Sequence, residues 1–313
     1  MGKIKIGVFG AGYFGNFHIN NLLKTKFELV GFYDINKQRS DFIEKTYKIK
    51  SFTTPIELLS HVDAIDITTP TSFHFDLIKS ALVLGKHVFV EKPMTSNSKE
   101  AEEILNLLDK NHLKLQIGHI ERYNPVIRQL ELNYLKANPI INIEMIRYSK
   151  YNPRGTDVPV VFDLMIHDID LLHYLKSDEI GNIQASGIKK FGNNIEFAEA
   201  NIYYKNGSMA SLKSSIIHPY NERKIKIWTQ SDFFEIDLNN KIYEKYNYLK
   251  EIDKNMEIIN DKESKTFVNN NAILDELIEF YNSIEQDIPT SVNAYDGYKA
   301  IKLAEEILGE IKN

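Results

Sequence analysis

The chain has 313 residues, 43% of them hydrophobic, so it can bury a sizeable core, and two domains are expected. Its formal net charge is −5, and no apolar run approaches the roughly 20 residues of a membrane helix, so we expect neither nucleic-acid binding nor a membrane span. The absence of cysteine excludes disulfides, thiolate metal sites and a cysteine nucleophile, and it fits a cytoplasmic protein.

The first predicted elements are a strand, a glycine-rich turn, a helix and a second strand. Residues 3–9 alternate and then become apolar, as a buried strand of a parallel sheet does. Residues 10–15 read Gly-Ala-Gly-Tyr-Phe-Gly, and residues 16–25 have apolar positions that could line one helical face. A second apolar strand follows over residues 27–33. This order predicts a dinucleotide-binding crossover.

Each glycine of the G-x-G-x-x-G turn has a physical role in that hypothesis. Gly10 permits a tight turn, Gly12 lets a pyrophosphate approach the backbone, and Gly15 lets helix and strand pack closely. Asp34 could accept hydrogen bonds from both ribose hydroxyls and would repel a 2′-phosphate, which favours NAD over NADP, although Arg39 lies nearby. The alternative is a turn that merely joins a strand to a helix.

Strands and helices continue to alternate up to about residue 120, which predicts a doubly wound parallel sheet. We therefore expect an α/β chain whose first domain, residues 1–120, has the Rossmann fold. The predicted helices of this region are 38–47, 55–59, 73–84 and 98–111, and the predicted strands begin at 51, 64, 87 and 113.

The pattern changes after residue 120, and residues 121–313 are predicted to form an α+β domain with a large, mostly antiparallel open sheet. Helices are expected over 124–135, 160–175, 272–284 and 293–311, the last of which could pack back on the first domain. Strands are expected over 140–151, 183–191, 195–204, 208–217, 224–229, 233–238 and 241–248. Asn206-Gly207 is a strong hairpin turn between two of them.

Lys92 is a candidate for proton chemistry. Ligands of open α/β sheets bind beyond the carboxyl ends of the strands, where Glu91-Lys92-Pro93 falls. A lysine shielded from water beside a nicotinamide has its charged form disfavoured and could hold or pass a proton. The alternative is an ion pair with Glu91 and a turn set by Pro93.

A second candidate lies on the predicted 160–175 helix. Asp163 and His167 are four residues apart and would share one face, so the carboxylate could orient an imidazole that accepts a hydroxyl proton. The alternative is a buried histidine whose hydrogen bonds are purely structural. A metal site would also need Asp168 or Asp170, but Asp168 points about 100° away from His167 around the helix axis, so we expect no metal.

These residues resemble the glucose-fructose oxidoreductase / inositol dehydrogenase (Gfo/Idh/MocA) family. The matching pieces are Gly10 to Gly15, Thr69-Pro70 with His74, Glu91-Lys92-Pro93, Gly118 to Pro125 and Asp163-x-x-x-His167. The resemblance implies a Rossmann domain followed by an α/β domain with a large open sheet, usually in homodimers or homotetramers. It also implies a catalytic lysine, Lys92, often before a cis proline, and a catalytic pair, Asp163 and His167.

The resemblance extends to further site residues. The expected cofactor-binding residues are Gly10, Gly12, Tyr13, Phe14, Gly15, Asp34, Thr69, Pro70, His74, Glu91 and Lys92. The expected contacts to substrate phosphates or sugar are Arg122, Tyr123, Tyr151 and Arg154. Arginine suits phosphate because its planar fork can bind two oxygens.

A narrower resemblance, carried by residues 118–125, 152–157 and 163–168, is to a bacterial branch that contains UDP-N-acetylglucosamine 3-dehydrogenases. It implies NAD-dependent oxidation at C3 of a UDP-N-acetylhexosamine, ahead of a pyridoxal-phosphate aminotransferase on the route to amide-linked lipid A of lipopolysaccharide. Residues 158–162 and Met165 stand where many family members have glycines, which argues against a free sugar or cyclitol substrate. The alternatives are a dehydrogenase of such a free substrate and a non-catalytic dinucleotide sensor.

Overall fold

The structure is a computed structural model that describes residues 2–109, 112–130, 132–151, 158–248 and 259–311. The chain divides into two compact units. The first contains residues 1–120 and 271–301, and the second contains residues 121–270 and 302–313. Each unit is built on its own β-sheet.

The first unit has a six-stranded sheet in which every neighbouring pair is parallel. Its strands are β1 (Lys5–Phe9), β2 (Glu28–Tyr33), β3 (Lys50–Ser51), β4 (Ala64–Ile67), β5 (His87–Glu91) and β6 (Leu115–Gly118). Their order is β3-β2-β1-β4-β5-β6, so the chain reverses direction across the sheet between β1 and β4. Such a reversal creates a ligand crevice at the carboxyl ends of the strands. The predicted Rossmann sheet is confirmed.

The crossover helices of the first unit are α1 (Tyr13–Leu22), α2 (Lys37–Tyr47), α3 (Pro55–Leu59), α4 (His74–Val83) and α5 (Ser98–Leu108). Side-chain caps begin three of them, because Asn36, Thr54 and Asn97 each accept a backbone N–H from the first turn. Helix α1 differs, since Gly12 precedes it and supplies no side-chain cap. The N–H groups of its first turn therefore receive no side-chain oxygen from the capping position.

The second unit has an eight-stranded sheet in which only β7 and β10 pair in parallel. Its strands are β7 (Asn142–Tyr148), β8 (Ile180–Ile188), β9 (Phe197–Tyr204), β10 (Met209–Ser215), β11 (Glu222–Trp228), β12 (Asp232–Asp237), β13 (Ile242–Tyr248) and β14 (Ile259–Thr266). The order is β14-β13-β12-β11-β7-β10-β9-β8. The predicted large, mostly antiparallel sheet is confirmed.

Two helical stretches of the second unit differ from the sequence prediction. The expected helix over 124–135 is two short helices, α6 (Pro125–Gln129) and α7 (Leu132–Ala137), because Leu130 is extended and ends the first. The helix expected over 160–175 begins as a π turn (Val161–Met165) and continues as α8 (Ile166–Leu175). Within the described ranges, no helix has the length and apolar character needed to cross a bilayer.

Strand β14 was not expected from the sequence. Its residues 259–266 read Ile-Asn-Asp-Lys-Glu-Ser-Lys-Thr, and the strand lies at one edge of the sheet, paired with β13 alone. A strand at a sheet edge commonly carries charged residues, which oppose pairing with other chains. Because these charges remove the apolar alternation, a pattern search misses the strand.

The last two helices are α9 (Ala272–Glu285) and α10 (Ala294–Glu310), and residues 271–301 belong to the first unit rather than to the expected second domain. Burial explains the assignment of α9. Leu277 and Phe280 are fully buried in the same core cluster as Ile19 of α1 and Phe89 of β5. After α9, the backbone N–H of Ile117 in β6 donates to the carbonyl of Val292. The chain thus returns to complete the first unit.

Phe280→Ala should lower the free energy of unfolding by about 3–5 kcal/mol, because it removes a fully buried ring that lies 5.8–5.9 Å from the rings of Phe89 and Phe27. Urea unfolding measures the change. Ile278→Ala is the matched control, since Ile278 is on the same helix but 39% exposed. Equal losses in the two variants would contradict the assignment of α9 to the core.

Candidate active site

The glycine-rich turn is shaped by a close approach between helix α1 and the end of β1. Gly10 has φ +84°, and its N–H donates to the carbonyl of Tyr33 at 2.8 Å. A Cβ added to Gly15 would lie 2.0 Å from the carbonyl oxygen of Gly10, which no real side chain tolerates. A Cβ on Gly12 would meet only the Arg39 guanidinium, at 3.5 Å. Gly10 and Gly15 are therefore required by the fold itself, whereas Gly12 leaves open space above the turn.

Asp34 lies at the end of β2 and faces this turn. One carboxylate oxygen accepts the N–H of Ala11 at 2.7 Å, and the other accepts the N–H of Asn36 at 2.7 Å. The two bonds fix the carboxylate at the mouth of a cavity of about 350 Å³, which Gly10, Gly12, Thr69 and Pro70 also line. A negative group here suits the hydroxyls of a ribose and disfavours a phosphate.

A buried polar atom also borders the cavity. The hydroxyl oxygen of Thr69 is buried and has no hydrogen-bond partner among the described residues. An unsatisfied buried hydroxyl is costly unless a ligand or water bonds to it. The uncapped first turn of α1, the fixed Asp34 carboxylate and Thr69 together fit a dinucleotide bound across the turn.

The aromatic residues of the turn lie at the surface. Tyr13 is 66% exposed and Phe14 is 58% exposed, and their rings meet edge to face at 5.6 Å. Tyr13 also lines a second cavity, of about 430 Å³, together with Gly12, Arg39 and Phe42. Both rings are thus exposed beside the turn, and their contact with the cofactor stays a prediction.

His74 and the Lys92 loop are joined inside the first unit. The peptide bond between Lys92 and Pro93 is cis. The ring nitrogens of His74 lie 2.9 Å from the carbonyl oxygen of Pro93 and 2.8 Å from that of Thr69. Burial lowers the pKa of His74, whereas the hydrogen bonds to the two carbonyls act in the opposite direction. His74 is 1% exposed, and it therefore holds the two loops together rather than touching a ligand.

Glu91 is likewise bonded within the protein. One of its carboxylate oxygens accepts the backbone N–H of Lys92 at 3.2 Å, and the other lies 3.1 Å from a ring nitrogen of His18. The carboxylate of Glu91 therefore supports the lysine loop from the interior. Lys92 itself is half-buried at the carboxyl end of the sheet, as the sequence predicts.

In the second unit, Asp163 lies in the π turn and His167 in the first turn of α8, and both are half-buried. The N–H of Asp163 donates to the carbonyl of Pro159 at 3.1 Å. π turns recur at functional sites because they rotate side chains away from regular helical positions. Val161 and Met165 of the same turn are buried, so their bulk fills the interior of the unit.

A buried ion network fixes α8 to the sheet. Arg147 of β7 donates to Asp168 of α8 at 2.7 and 3.0 Å, and to Glu121 at 2.8 Å. Although burial opposes it, the positive charges of Arg147 and Arg223 lower the pKa of Glu121 to about 2. With Asp168 turned toward Arg147, a metal site that used this carboxylate would have to break a buried ion pair.

Two of the expected substrate contacts lie in the interior. The Arg122 guanidinium donates to both carboxylate oxygens of Asp170, at 2.9 and 2.6 Å, and it stacks over the Tyr174 ring at 5.0 Å. Tyr123 is 1% exposed. These positions differ from the expectation, because both side chains are used in packing the second unit. Sequence alone could not show that Asp170, forty-eight residues away, engages Arg122.

The other two expected contacts have different outcomes. Tyr151 is 51% exposed, and its ring meets Phe191 at 5.9 Å, so it is accessible to a ligand. Arg154 lies outside the described residues. His18 and Asp66 were not expected to interact, yet they meet in the interior of the first unit at 2.9 Å. The available signal was an acidic residue inside the otherwise apolar strand Ala64–Ile67.

Comparison with known proteins matches both units to one family. Residues 4–119 match the NAD-binding Rossmann domain of an oxidoreductase family, GFO_IDH_MocA, and residues 128–234 match the GFO/IDH/MocA C-terminal domain. The chain belongs to the Gfo/Idh/MocA family. It is therefore an oxidoreductase with an NAD-binding Rossmann domain.

Individual members of the family are similar over most of their length. The UDP-N-acetylglucosamine 3-dehydrogenase of Acidithiobacillus ferrooxidans is 32% identical over 244 residues, which cover 78% of this chain and 77% of that protein. A solved structure of that enzyme, GnnA, has a TM-score of 0.91 at 28% identity, covering 99% of this chain and 98% of the other. The scyllo-inositol 2-dehydrogenase (NAD(+)) of Bacillus subtilis is 26% identical, covering 70% and 69%.

Gly15→Ala should lower the thermal unfolding midpoint by several degrees, since its Cβ would force the Gly10 carbonyl to move. Gly12→Ala is the matched control and should unfold close to wild type, because its Cβ meets only a flexible guanidinium. Differential scanning calorimetry without added cofactor compares them. Equal midpoints would contradict the close approach of α1 to β1.

Proposed function

We propose that the protein oxidises a ring hydroxyl of a nucleotide-activated sugar with NAD, and that the reacting position is C3 of UDP-N-acetylglucosamine. The observation that carries this proposal is the similarity to the Acidithiobacillus ferrooxidans 3-dehydrogenase. That protein is 32% identical over 78% of this chain, and its structure has a TM-score of 0.91 over 99% of this chain. Inositol dehydrogenases are also similar, at 24–29% identity, so a free cyclitol is the second candidate substrate.

We assign the cofactor to the turn of the first unit. The first-turn N–H groups of α1 would bind the pyrophosphate, Gly12 would let it approach, and Asp34 would accept hydrogen bonds from the ribose. Thr69 and Pro70 line the same cavity and would contact the bound cofactor. When bound, NAD accepts the hydride from the carbon that bears the reacting hydroxyl.

The chain's own residues would move the proton and orient the sugar. His167 would accept the hydroxyl proton as a general base, and Asp163 would fix its tautomer. Lys92 would donate a hydrogen bond to the same oxygen and stabilise the negative charge that develops on it. Tyr151 remains a candidate sugar contact because its ring is exposed.

Homo-oligomerisation, coupling to an aminotransferase, a role in lipopolysaccharide synthesis and a cytoplasmic location stay predictions of the resemblance. They do not enter the chemistry proposed here.

Wild-type protein with NAD and UDP-N-acetylglucosamine should produce NADH absorbance, especially when a 2-oxoacid or an aminotransfer partner draws the product onward. Lys92→Met and His167→Asn should lower kcat by about 10²–10⁴-fold, the usual contribution of a positioned acid or base. The controls are Lys99→Met, at an exposed position of α5, and His173→Asn, on the same helix as His167, and both should stay near wild type.

Calorimetry with NAD shows whether a silent variant still binds cofactor. N-acetylglucosamine, scyllo-inositol and myo-inositol are run in parallel. Turnover of a cyclitol but not of the UDP-sugar would overturn the proposed substrate and favour the second candidate. A dinucleotide sensor would be indicated by two results together: the protein binds cofactor but turns over no sugar, and its Lys92→Met variant keeps full biological activity.

Asp34→Asn should weaken the preference for NAD over NADP by about tenfold or more. It replaces the carboxylate, whose negative charge repels a 2′-phosphate, with a neutral amide of similar shape. Dissociation constants for both cofactors, measured by calorimetry, test this. Asp41→Asn, an exposed carboxylate on α2, is the control. Equal discrimination in wild type and Asp34→Asn would show that Asp34 does not select the cofactor.

A further inference from the structure

Four titratable groups from four elements meet in the interior of the first unit. They are His18 of α1, Asp66 of β4, Glu91 at the end of β5 and Glu276 of α9, and we call them the buried acid cluster. His18, Asp66 and Glu276 are fully buried, whereas the Glu91 side chain is 18% exposed. Glu91 is thus the member through which the cluster reaches the accessible end of the sheet.

His18 bonds two carboxylates at once. Its Nδ1 lies 2.9 Å from an oxygen of Asp66, and its Nε2 lies 3.1 Å from an oxygen of Glu91. Both partners are acceptors, so both nitrogens must carry protons to bond them. Burial lowers the pKa of His18, but the two carboxylates outweigh it and raise that pKa well above its usual range. The ring is therefore an imidazolium at neutral pH.

Glu276, unlike His18, is buried without hydrogen-bond partners for its side chain among the described residues. Burial raises the pKa of Glu276 well above its usual range, the charges of Glu91, Asp66 and Glu279 raise it further, and only His18 opposes them. A buried carboxylate without donors is far costlier than the neutral acid. Glu276 therefore holds a proton at neutral pH.

Glu91 connects the cluster to the lysine loop. One oxygen faces the His18 ring, and the other accepts the backbone N–H of Lys92. Although burial raises the pKa of Glu91, its bond to His18 and the charges of His18 and Lys92 keep that pKa below its usual value. Burial raises the pKa of Asp66, so of the two carboxylates that bond His18 it is Glu91, next to Lys92, that keeps its negative charge more readily.

We propose that His18 is a positioning residue for Lys92 that acts through Glu91, and that Glu276 stores a proton so that the cluster stays close to neutral. The role of His18 rests on the proposed function, because that function makes Lys92 catalytic. The proton on Glu276 does not rest on it. The two parts are tested separately.

Glu276→Gln tests the stored proton by its effect on unfolding. In wild type, the pKa of Glu276 is higher in the folded state than its value of about 4.5 in the unfolded state. The folded protein therefore loses stability progressively as pH rises from that value toward the folded pKa. Glutamine has no such dependence, so the urea midpoint of Glu276→Gln relative to wild type should increase as pH rises from about 5 to about 8. Glu285→Gln, an exposed position on the same helix, should show no such trend.

Two results would overturn the stored proton. One is a Glu276→Gln variant that loses stability relative to wild type as pH rises, which requires an ionised Glu276. The other is a stoichiometric amount of divalent metal, found by elemental analysis in the purified wild type but not in Glu276→Gln. His18, Glu91 and Glu276 have ligand atoms within 4.8 Å of one another, so a metal ligand set is the competing account.

The effect of His18 on the environment of Lys92 can be measured by NMR without a substrate. Isotope-labelled methyl groups placed on lysine amines by reductive methylation give one NMR signal per lysine, and a Lys92→Arg variant assigns that of Lys92. His18→Gln should move the Lys92 signal and leave those of distant lysines in place. An unchanged Lys92 signal would overturn the link, whatever the fate of the proposed sugar.

With an active substrate, kcat gives the second readout. His18→Leu should lower kcat by about tenfold or more, while His18→Gln, which keeps one donor, should retain more of it. The KM for the sugar and the dissociation constant for NAD should stay within about twofold, because neither variant changes a ligand contact. Wild-type kcat in both variants would contradict a positioning role. If His18→Leu does not fold, the comparison uses Glu91→Gln.

Discussion

The absence of a side chain at Gly15 is the constraint on which the first unit depends. Helix α1 lies so close to the end of β1 that the Gly10 carbonyl occupies the place of a Cβ. This contact sets both the position and the rotation of the helix. Its uncapped first turn lies at the crevice, opposite the Asp34 carboxylate, and the face that carries Gly15 also carries His18, Ile19 and Leu22 toward the sheet. One steric requirement thus places the nucleotide site and the buried acid cluster together.

In the second unit, the equivalent constraint is electrostatic. Arg147 is among the largest fully buried side chains, and it is tolerated because Asp168 and Glu121 supply its partners. Such an ion pair adds little net stability compared with apolar packing, but it penalises any other rotation of the helix. Asp168 must face β7, and His167, its neighbour in sequence, is turned away from Arg147 by about 100°.

Local features of the chain were predictable from sequence, and long-range pairings were not. The glycine turn, Asp34 and the Lys92 loop were found because spacing along a few residues determines them. Arg122 was expected to contact the substrate, but its ion pair with Asp170 could not be foreseen, because Asp170 is distant in sequence and an arginine looks the same in a sequence whether paired or free. Asp66 stood out in an apolar strand, but its pairing with His18 follows from the rotation of α1, which requires coordinates.

The order of the units along the chain has a consequence for biosynthesis. The strands of the second unit, β7 to β14, all lie between residues 120 and 271, so a ribosome completes the eight-stranded sheet before α9 exists. Until then, the apolar surface that Leu277 and Phe280 cover is exposed on the nascent Rossmann sheet. Domains generally fold as they emerge, and exposed apolar surface attracts chaperones and promotes aggregation. The N-terminal unit, synthesised first, is therefore the one that must wait longest to become complete.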